Sequence, residues 1–253
     1  MSRVDESAVL EIASCASTNG EAMRLGVGGE CGPLWVLARH QEMGRGRAGR
    51  KWVSVSGNLY TSLLIRFPEE LSNFGQLSLV AGLGVFDAVH GLAEHSGTSR
   101  LSQDMWLKWP NDIMIGSAKC GGILVESSVT AGRSERLVVV GIGLNLALAP
   151  DVEDRTTTCL KAHGLDVTPR ALLSEIDQYL LAGIEAWACG RGSFEVNLAF
   201  LARTRGVGKP ISVHAGENVL RGTFAGLAPN GHLLIKRATG GVQEVSWGDV
   251  SFE

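Results

Sequence analysis

Apolar residues along this chain follow two periods. Short runs at residues 9–12, 34–38 and 58–65 are continuous or alternating, rich in Val, Leu, Ile and Trp, and bounded by Gly, Pro and Ser, which predicts strands. Elsewhere the apolar positions return every three or four residues. From Asn73 onward Phe74, Leu77, Val80, Ala81, Gly84, Val85, Ala88, Val89 and Leu92 share one helical face, as expected of a helix packed on a sheet. Thr168-Pro169 is a cap followed by proline at the first helical position, and Leu172, Leu173, Ile176, Tyr179, Leu180, Ile184 and Trp187 continue it as a second stripe. A further helix is expected over residues 194–201.

Between these helices lies a run of hairpin signals. Met105-Trp106-Leu107-Lys108 and Ile113-Met114-Ile115 are β-prone arms joined by Pro110-Asn111-Asp112, where Pro fixes φ and Asn and Asp accept turn geometry. Gly116-Ser117-Ala118 makes the next turn, and residues 119–126 and 136–140 read as strands. Neighbouring hairpins imply a mixed or largely antiparallel sheet with packed helices, an α+β domain over residues 1–205. Past Gly206 the helical period stops. Residues 210–214, 219–224, 232–236 and 243–247 are short strands separated by turns such as Pro229-Asn230-Gly231, which predicts a small β-barrel or sandwich over 206–253.

Composition narrows the setting. A chain of 253 residues with 45% hydrophobic content can bury a full core, and its formal charge of −3 offers no general attraction for nucleic acid. The five cysteines, Cys15, Cys31, Cys120, Cys159 and Cys189, contain no CxxC pair and no histidine at zinc-ligand spacing, so reduced thiols, no metal ligands and a cytoplasmic location are expected. Residues 1–14 carry acids and no continuous apolar run, so neither a signal peptide nor a membrane span is expected there.

The chemistry is concentrated in Gly44-Arg45-Gly46-Arg47-Ala48-Gly49-Arg50-Lys51-Trp52, where four cations alternate with glycines and end on an indole. Glycine lets backbone N–H groups approach a ligand, and arginine presents a fork that matches carboxylate or phosphate oxygens. Arg/Gly runs also occur as solvated tails, but this one lies between two apolar β-prone segments, as expected of a loop closing over an anion. Ser17, Thr18 and Asn19 precede a helical segment; capping needs only one of them, and three in a row can also address a polar ligand. Gly141-Ile142-Gly143-Leu144-Asn145 fails as a dinucleotide fingerprint because no third glycine and no helix follow, so its glycines are read as allowing close approach at a strand end. Lys119 and Asp112 sit in turns, where such residues are usually solvated; their company raises them above that background.

Taken in order, Ser17-Thr18-Asn19, Gln41, the segment 44–52, Lys108-Trp109-Pro110-Asn111-Asp112, Lys119-Cys120-Gly121-Gly122 with the strand to Glu126, and Gly141-Ile142-Gly143-Leu144-Asn145 resemble the biotin protein ligases over nearly the whole chain. The resemblance implies a class II synthetase-like catalytic domain followed by a small SH3-like β-barrel. Only a short stretch precedes Ser17, so the monofunctional type without an N-terminal helix-turn-helix is expected. It also implies a two-step reaction in which biotin and MgATP form biotinyl-5′-AMP, and a lysine of a biotin carboxyl carrier protein, from acetyl-CoA carboxylase or a related carboxylase, then takes the biotinyl group.

Carried over by position, biotin is contacted by Ser17, Thr18, Asn19, Gln41, Gly44, Arg45, Gly46, Arg47 and Lys119, and ATP or the adenylate by Arg45, Arg47, Trp52, Gly141, Gly143 and Asn145. The catalytic set is Arg47, Lys119, which bridges carboxylate and α-phosphate, and Asp112, which assists the acceptor amine. A homodimer is compatible with the resemblance; specific DNA binding is not expected. A lipoate ligase or lipoyl/octanoyl transferase shares the fold and a motif lysine, but the segments 44–52 and 108–112 favour biotin. A non-catalytic regulator is disfavoured by the acidic charge. Met43 and Cys120 are the departures from the family pattern, and both leave the clamp chemistry intact.

Overall fold

The computed structural model describes residues 7–68, 71, 74–129, 134–153, 155–188 and 192–252. Strand β1 (Ala8–Cys15) is joined through helix α1 (Thr18–Val27) to the parallel strand β2 (Leu34–Gln41). All other neighbours are antiparallel. β3 (Leu59–Pro68), β4 (Met105–Lys108), β5 (Asp112–Ile115), β6 (Ala118–Val129) and β7 (Glu135–Leu144) complete a seven-stranded sheet in the order β1-β2-β3-β7-β6-β5-β4. The mixed sheet read from the hairpin signals is therefore present, with β1 as its one parallel neighbour.

Alternation along the central strands sorts their side chains onto two faces. Val36, Leu64, Leu137 and Val139 pack with Ala22 under α1, while Trp35, Leu63, Val138 and Val140 face the larger core on the other side. That core is closed by α2 (Leu77–His95), entered through a 3₁₀ turn at Phe74–Gln76, by the short α3 (Ser99–Asp104), and by α4 (Pro169–Ala186) and α5 (Gly192–Ala202). Asn73 lies outside the described residues, as does Cys189. Residues 74–95 are long and apolar enough to cross a membrane, but two-thirds of that stretch is buried in this core, which accounts for its composition. Thr168 caps α4 by accepting from Ala171 N at 3.3 Å, as its sequence predicts.

Beyond α5 the chain forms a second sheet of β8 (Pro210–Ala215), β9 (Asn218–Leu227), β10 (Leu233–Lys236), β11 (Val242–Val245) and β12 (Asp249–Phe252), in the order β11-β10-β9-β8-β12 and antiparallel throughout. The strand expected over 243–247 ends at Val245. The chain then turns at Gly248, with φ of 145°, and returns along β8 as β12, a strand the turn residues alone did not announce.

One buried side chain ties the two sheets together. Gln76 Nε2 donates to Asn197 Oδ1 at 3.2 Å and to Pro229 O at 3.0 Å, while its Oε1 accepts from Trp187 Nε1 at 3.1 Å and Ser193 Oγ at 3.0 Å. Asn197 Nδ2 and Trp109 Nε1 make the neighbouring bonds to Ala228 O and Gly231 O, at 2.8 and 3.0 Å. A buried polar group stripped of its partner costs about 1–3 kcal/mol, so Gln76→Leu, which strands several at once, is expected to lower the unfolding free energy by about 3 kcal/mol or more. Urea denaturation followed by tryptophan fluorescence measures this, and a wild-type midpoint would show that the network contributes little.

Candidate active site

The loop between β2 and β3 is a folded hairpin. Gly46 N donates to Arg50 O at 2.7 Å, Trp52 N donates to Gly44 O at 2.9 Å, and Arg45 bridges Lys51 across it. Its tip turns through Ala48 and Gly49, with φ of 53° and 72°. Gly44 has no room for a side chain, since a Cβ there would stand 2.7 Å from Trp52 O and 3.1 Å from Gln41 Nε2. The arginines are aimed in different directions. Arg50 grips Asp249 of β12 at 2.8 and 3.0 Å, Arg47 donates to Asn111 Oδ1 at 3.3 Å and Gly248 O at 3.4 Å, and Arg45 stands 3.6 Å from Glu126.

Beneath this loop is a cleft lined by residues of α1, β2, β6 and β7. One end is a polar slot. Thr18 donates through its backbone N–H and its hydroxyl to Gln41 Oε1, at 2.9 and 3.1 Å; Asn19 Nδ2 donates to Glu126 Oε2 at 2.8 Å and Leu124 O at 3.2 Å. The Ser62 hydroxyl lies 2.8 Å from Thr18 Oγ1 and 2.6 Å from Asn19 Oδ1. Ser17 occupies the N-cap position of α1 but its side chain makes no cap hydrogen bond, so helix capping does not account for the three consecutive polar residues. All three are buried and face the slot.

The floor is bare backbone. β7 runs through to Leu144, so Gly141 and Gly143 lie inside the strand and not beyond its end, which corrects the shorter strand expected from the sequence. On one face of that strand a Cβ at Gly141 would overlap the Asn19 amide, and one at Gly143 would stand 2.6–2.8 Å from the Trp52 indole. Gly122 of β6 pairs with Gly143 and widens the floor. Trp52 thus lies directly on β7, with its Nε1 buried and without a partner.

At the centre, Lys119 of β6 reaches across the β5–β6 hairpin and ion-pairs with Asp112. Its main chain is clamped from the other side, donating to Thr156 O at 2.9 Å and accepting from Thr158 N at 3.0 Å. The ammonium lies 5.6 Å from the Trp52 ring and is almost fully buried. Burial pulls the Lys119 ammonium below the ordinary lysine range, and Asp112 restores only part of that. Burial likewise lowers Arg47, against the attraction of Asp249 and Asp112. Asp249 is pushed up by burial, but the bond and charge of Arg50, with Arg47 and Arg155, hold it below the usual carboxylate range.

The structure brings Ser17, Thr18, Asn19, Gln41, Arg45, Gly46, Arg47, Trp52, Asp112, Lys119, Gly141 and Gly143 to this cleft. It does not bring all of them. Gly44 lies behind the loop, and Asn145 sits just past β7 with its Nδ2 donating to Thr158 O at 3.0 Å and its Oδ1 buried without a partner. The sequence reading assigned no role to Ser62, Asn111, Glu126, Arg155 or Asp249. Ser62 carried a faint signal, a hydroxyl inside an otherwise apolar strand; Arg155 and Asp249 carried none, because only the fold brings them there.

A polar slot that ends in a buried lysine under a hairpin of arginines, over a glycine floor and an indole, has the cations and donors of an anion-binding enzyme cleft. Comparisons with known proteins make this specific. Residues 24–145 match the "Biotin/lipoate A/B protein ligase family" and residues 206–253 the "Biotin protein ligase C terminal domain". The biotin–[acetyl-CoA-carboxylase] ligase of Paracoccus denitrificans is 38% identical, over 90% of this chain and 94% of its own length; that of Mycobacterium tuberculosis is 29% identical, over 94% and 86%. The biotin protein ligase of Aquifex aeolicus, solved in complex with biotin and ATP, superposes with a TM-score of 0.78 at 27% identity, covering 97% of this chain and 98% of that one. The chain belongs to the biotin protein ligase family.

Gly143→Ala tests the contact between floor and indole. Overpacking of this kind costs about 1–3 kcal/mol unless the neighbour moves, and Trp52 can move only by lifting the loop. A lowered melting temperature together with faster tryptic cleavage at Arg45, Arg47 or Arg50 is expected; wild-type values for both would show that the ring does not depend on the bare strand.

Proposed function

We propose that this cleft carries out both steps of ATP-dependent biotin ligation. In the first, a carboxylate oxygen of biotin attacks the α-phosphorus of MgATP, the bond from that phosphorus to the oxygen bridging to the β-phosphorus breaks, and pyrophosphate leaves. In the second, the amine of a carrier-protein lysine attacks the anhydride carbonyl of biotinyl-5′-AMP, and AMP leaves as the amine gives up a proton. Ser17, Thr18, Asn19 and Gln41 hold biotin in the polar slot, where the Thr18–Gln41 bonds set donors and acceptors before the ligand arrives. Arg45 and Arg47 take carboxylate and phosphate oxygens, with Gly44 and Gly46 shaping the hairpin that carries them.

The buried Lys119 carries the proposal. A cation already stripped of water acts on developing negative charge through a low dielectric and needs no reorganisation as the reaction proceeds. Asp112 holds that ammonium charged and in place, and when ATP's phosphates compete for Lys119 its carboxylate is released to receive the acceptor amine's proton. Trp52, seated on the bare strand at Gly143, borders the nucleotide and offers it the donor of its unpartnered Nε1, and Asn145, just past the strand, keeps an unpartnered Oδ1 as an acceptor for the adenine once the ligand reaches it.

Among the described residues no group of three His, Cys, Asp or Glu side chains could hold a metal ion, and Asp112 and Asp249 already face cations. That suits magnesium arriving on the triphosphate, with phosphate and water as its principal ligands. The acceptor is the carrier domain of acetyl-CoA carboxylase or a related carboxylase. Further parts of the proposal are a cytoplasmic setting, consistent with the free thiols of Cys15, Cys31, Cys120 and Cys159, pairing of two copies along the edge strand β1, and no sequence-specific DNA binding.

Incubation with MgATP, a carrier domain and either biotin or lipoate, followed by mass spectrometry of the carrier, is expected to show the biotinyl adduct; a lipoyl adduct alone would overturn the assignment. Lys119→Ala is expected to slow adenylate formation at saturating substrates about a hundredfold to a thousandfold, the usual loss for one preorganised donor, while weakening biotin binding far less. A wild-type burst in stopped-flow measurements of the folded variant would remove Lys119 from the chemistry.

A further inference from the structure

We infer that Arg155 binds the β- and γ-phosphates of ATP, gripping the leaving pyrophosphate from the segment that anchors Lys119; this rests on reading the cleft as the ATP site. Arg155 belongs to the segment between β7 and α4, and it immediately precedes Thr156, whose carbonyl accepts from Lys119 N at 2.9 Å. The parallel bridge between Lys119 and Thr157 fixes the same segment, so the backbone carrying Arg155 is anchored to the catalytic lysine. Its side chain lines the cleft together with Arg47, Arg50 and Lys119.

Its charge lacks a close counter-ion. Arg50 is matched by Asp249, Lys119 by Asp112 and Arg45 by Glu126; Arg47, without an ion pair, donates to Asn111 Oδ1 and Gly248 O, whereas Arg155 lines the cleft with no carboxylate within ion-pair distance among the described residues. Its charge reaches Lys119, where it adds to that of Arg50 in disfavouring the ammonium, and it also reaches Asp249. Crowding a further cation against a buried lysine is unfavourable unless an anion enters between them. The biotin carboxylate and the α-phosphate fall to Lys119 and the loop arginines, so the charge left over is that of the two terminal phosphates. Negative charge moves onto them as the bond to the bridging oxygen breaks, and an arginine fork from a segment outside the hairpin matches it.

Arg155 is exposed at the rim, so its replacement is expected to leave the fold intact, as circular dichroism would verify. Four quantities separate the outcomes in Arg155→Ala: KM for ATP in adenylate formation, KM for pyrophosphate in the reverse reaction from biotinyl-5′-AMP, Kd for biotinyl-5′-AMP, and KM for the carrier domain in the transfer step. Loss of one charge-assisted contact should raise the first two about tenfold and leave the other two unchanged, with Arg155→Lys restoring part of the loss. Unchanged KM for ATP and pyrophosphate would overturn the inference. So would an equal loss of biotinyl-5′-AMP affinity, which would put Arg155 on the adenosine or α-phosphate, or a loss confined to carrier KM, which would put it on the partner protein. Failure of the unmodified protein to form any adenylate would instead refute the reading of the cleft.

Discussion

A lysine ammonium held almost out of water is the constraint around which this molecule is organised. Burial pulls the Lys119 ammonium below the ordinary lysine range, Asp112 works against that, and Asp112 stands there because β5 and β6 form a tight hairpin with Asp112 opposite Gly122. The main chain of Lys119 is held from the opposite side by residues 156–158, which fixes where the charge sits independently of the side chain's own freedom. Removing one member of such a pair exposes the other to the full cost of burial, so the hairpin, the 156–158 segment and the pair stand or fall together.

The bare backbone of β7 is the second requirement, and it follows from the first. A buried cation is useful only if the groups around it are held in place, and side chains at Gly141 or Gly143 would push the Asn19 amide out of the polar slot or the Trp52 ring away from Lys119. In the absence of Cβ atoms the Asn19 amide and the Trp52 ring settle directly on the strand. The same ring forms the lid over Lys119, so one aromatic residue links floor, lysine and hairpin.

The second sheet enters the cleft through a single turn. Gly248 and Asp249, at the start of β12, receive Arg47 and Arg50 and so place the arginine hairpin over the site. The Arg50–Asp249 pair is about half exposed on both sides, and exposed pairs of this kind contribute only about 0–1 kcal/mol. It therefore orients the loop more than it stabilises the fold. Firm attachment of the sheets comes instead from the Gln76 network, whose Gln76, Trp187 and Asn197 are buried.

The residues that meet in the cleft were legible in the sequence because they are clustered in it: Arg45, Arg47 and Trp52 in one loop, Ser17, Thr18 and Asn19 in another, Asp112 and Lys119 on either side of a short turn. Helices were legible for a similar reason, since a 3.6-residue period is a local property. What tertiary structure decided is whatever depends on distance in space without proximity in the chain. Capping, a local interaction, could have explained Ser17, Thr18 and Asn19; their engagement with Gln41, Ser62 and Glu126 arises only when β2, β3 and β6 are side by side. The ends of β7 and β12 were set by pairing partners, which no periodicity records. Arg155 and Asp249 read as ordinary surface charges until the fold set them around the same cleft, because electrostatic neighbourhood is a property of the folded molecule and leaves no trace in spacing along the chain.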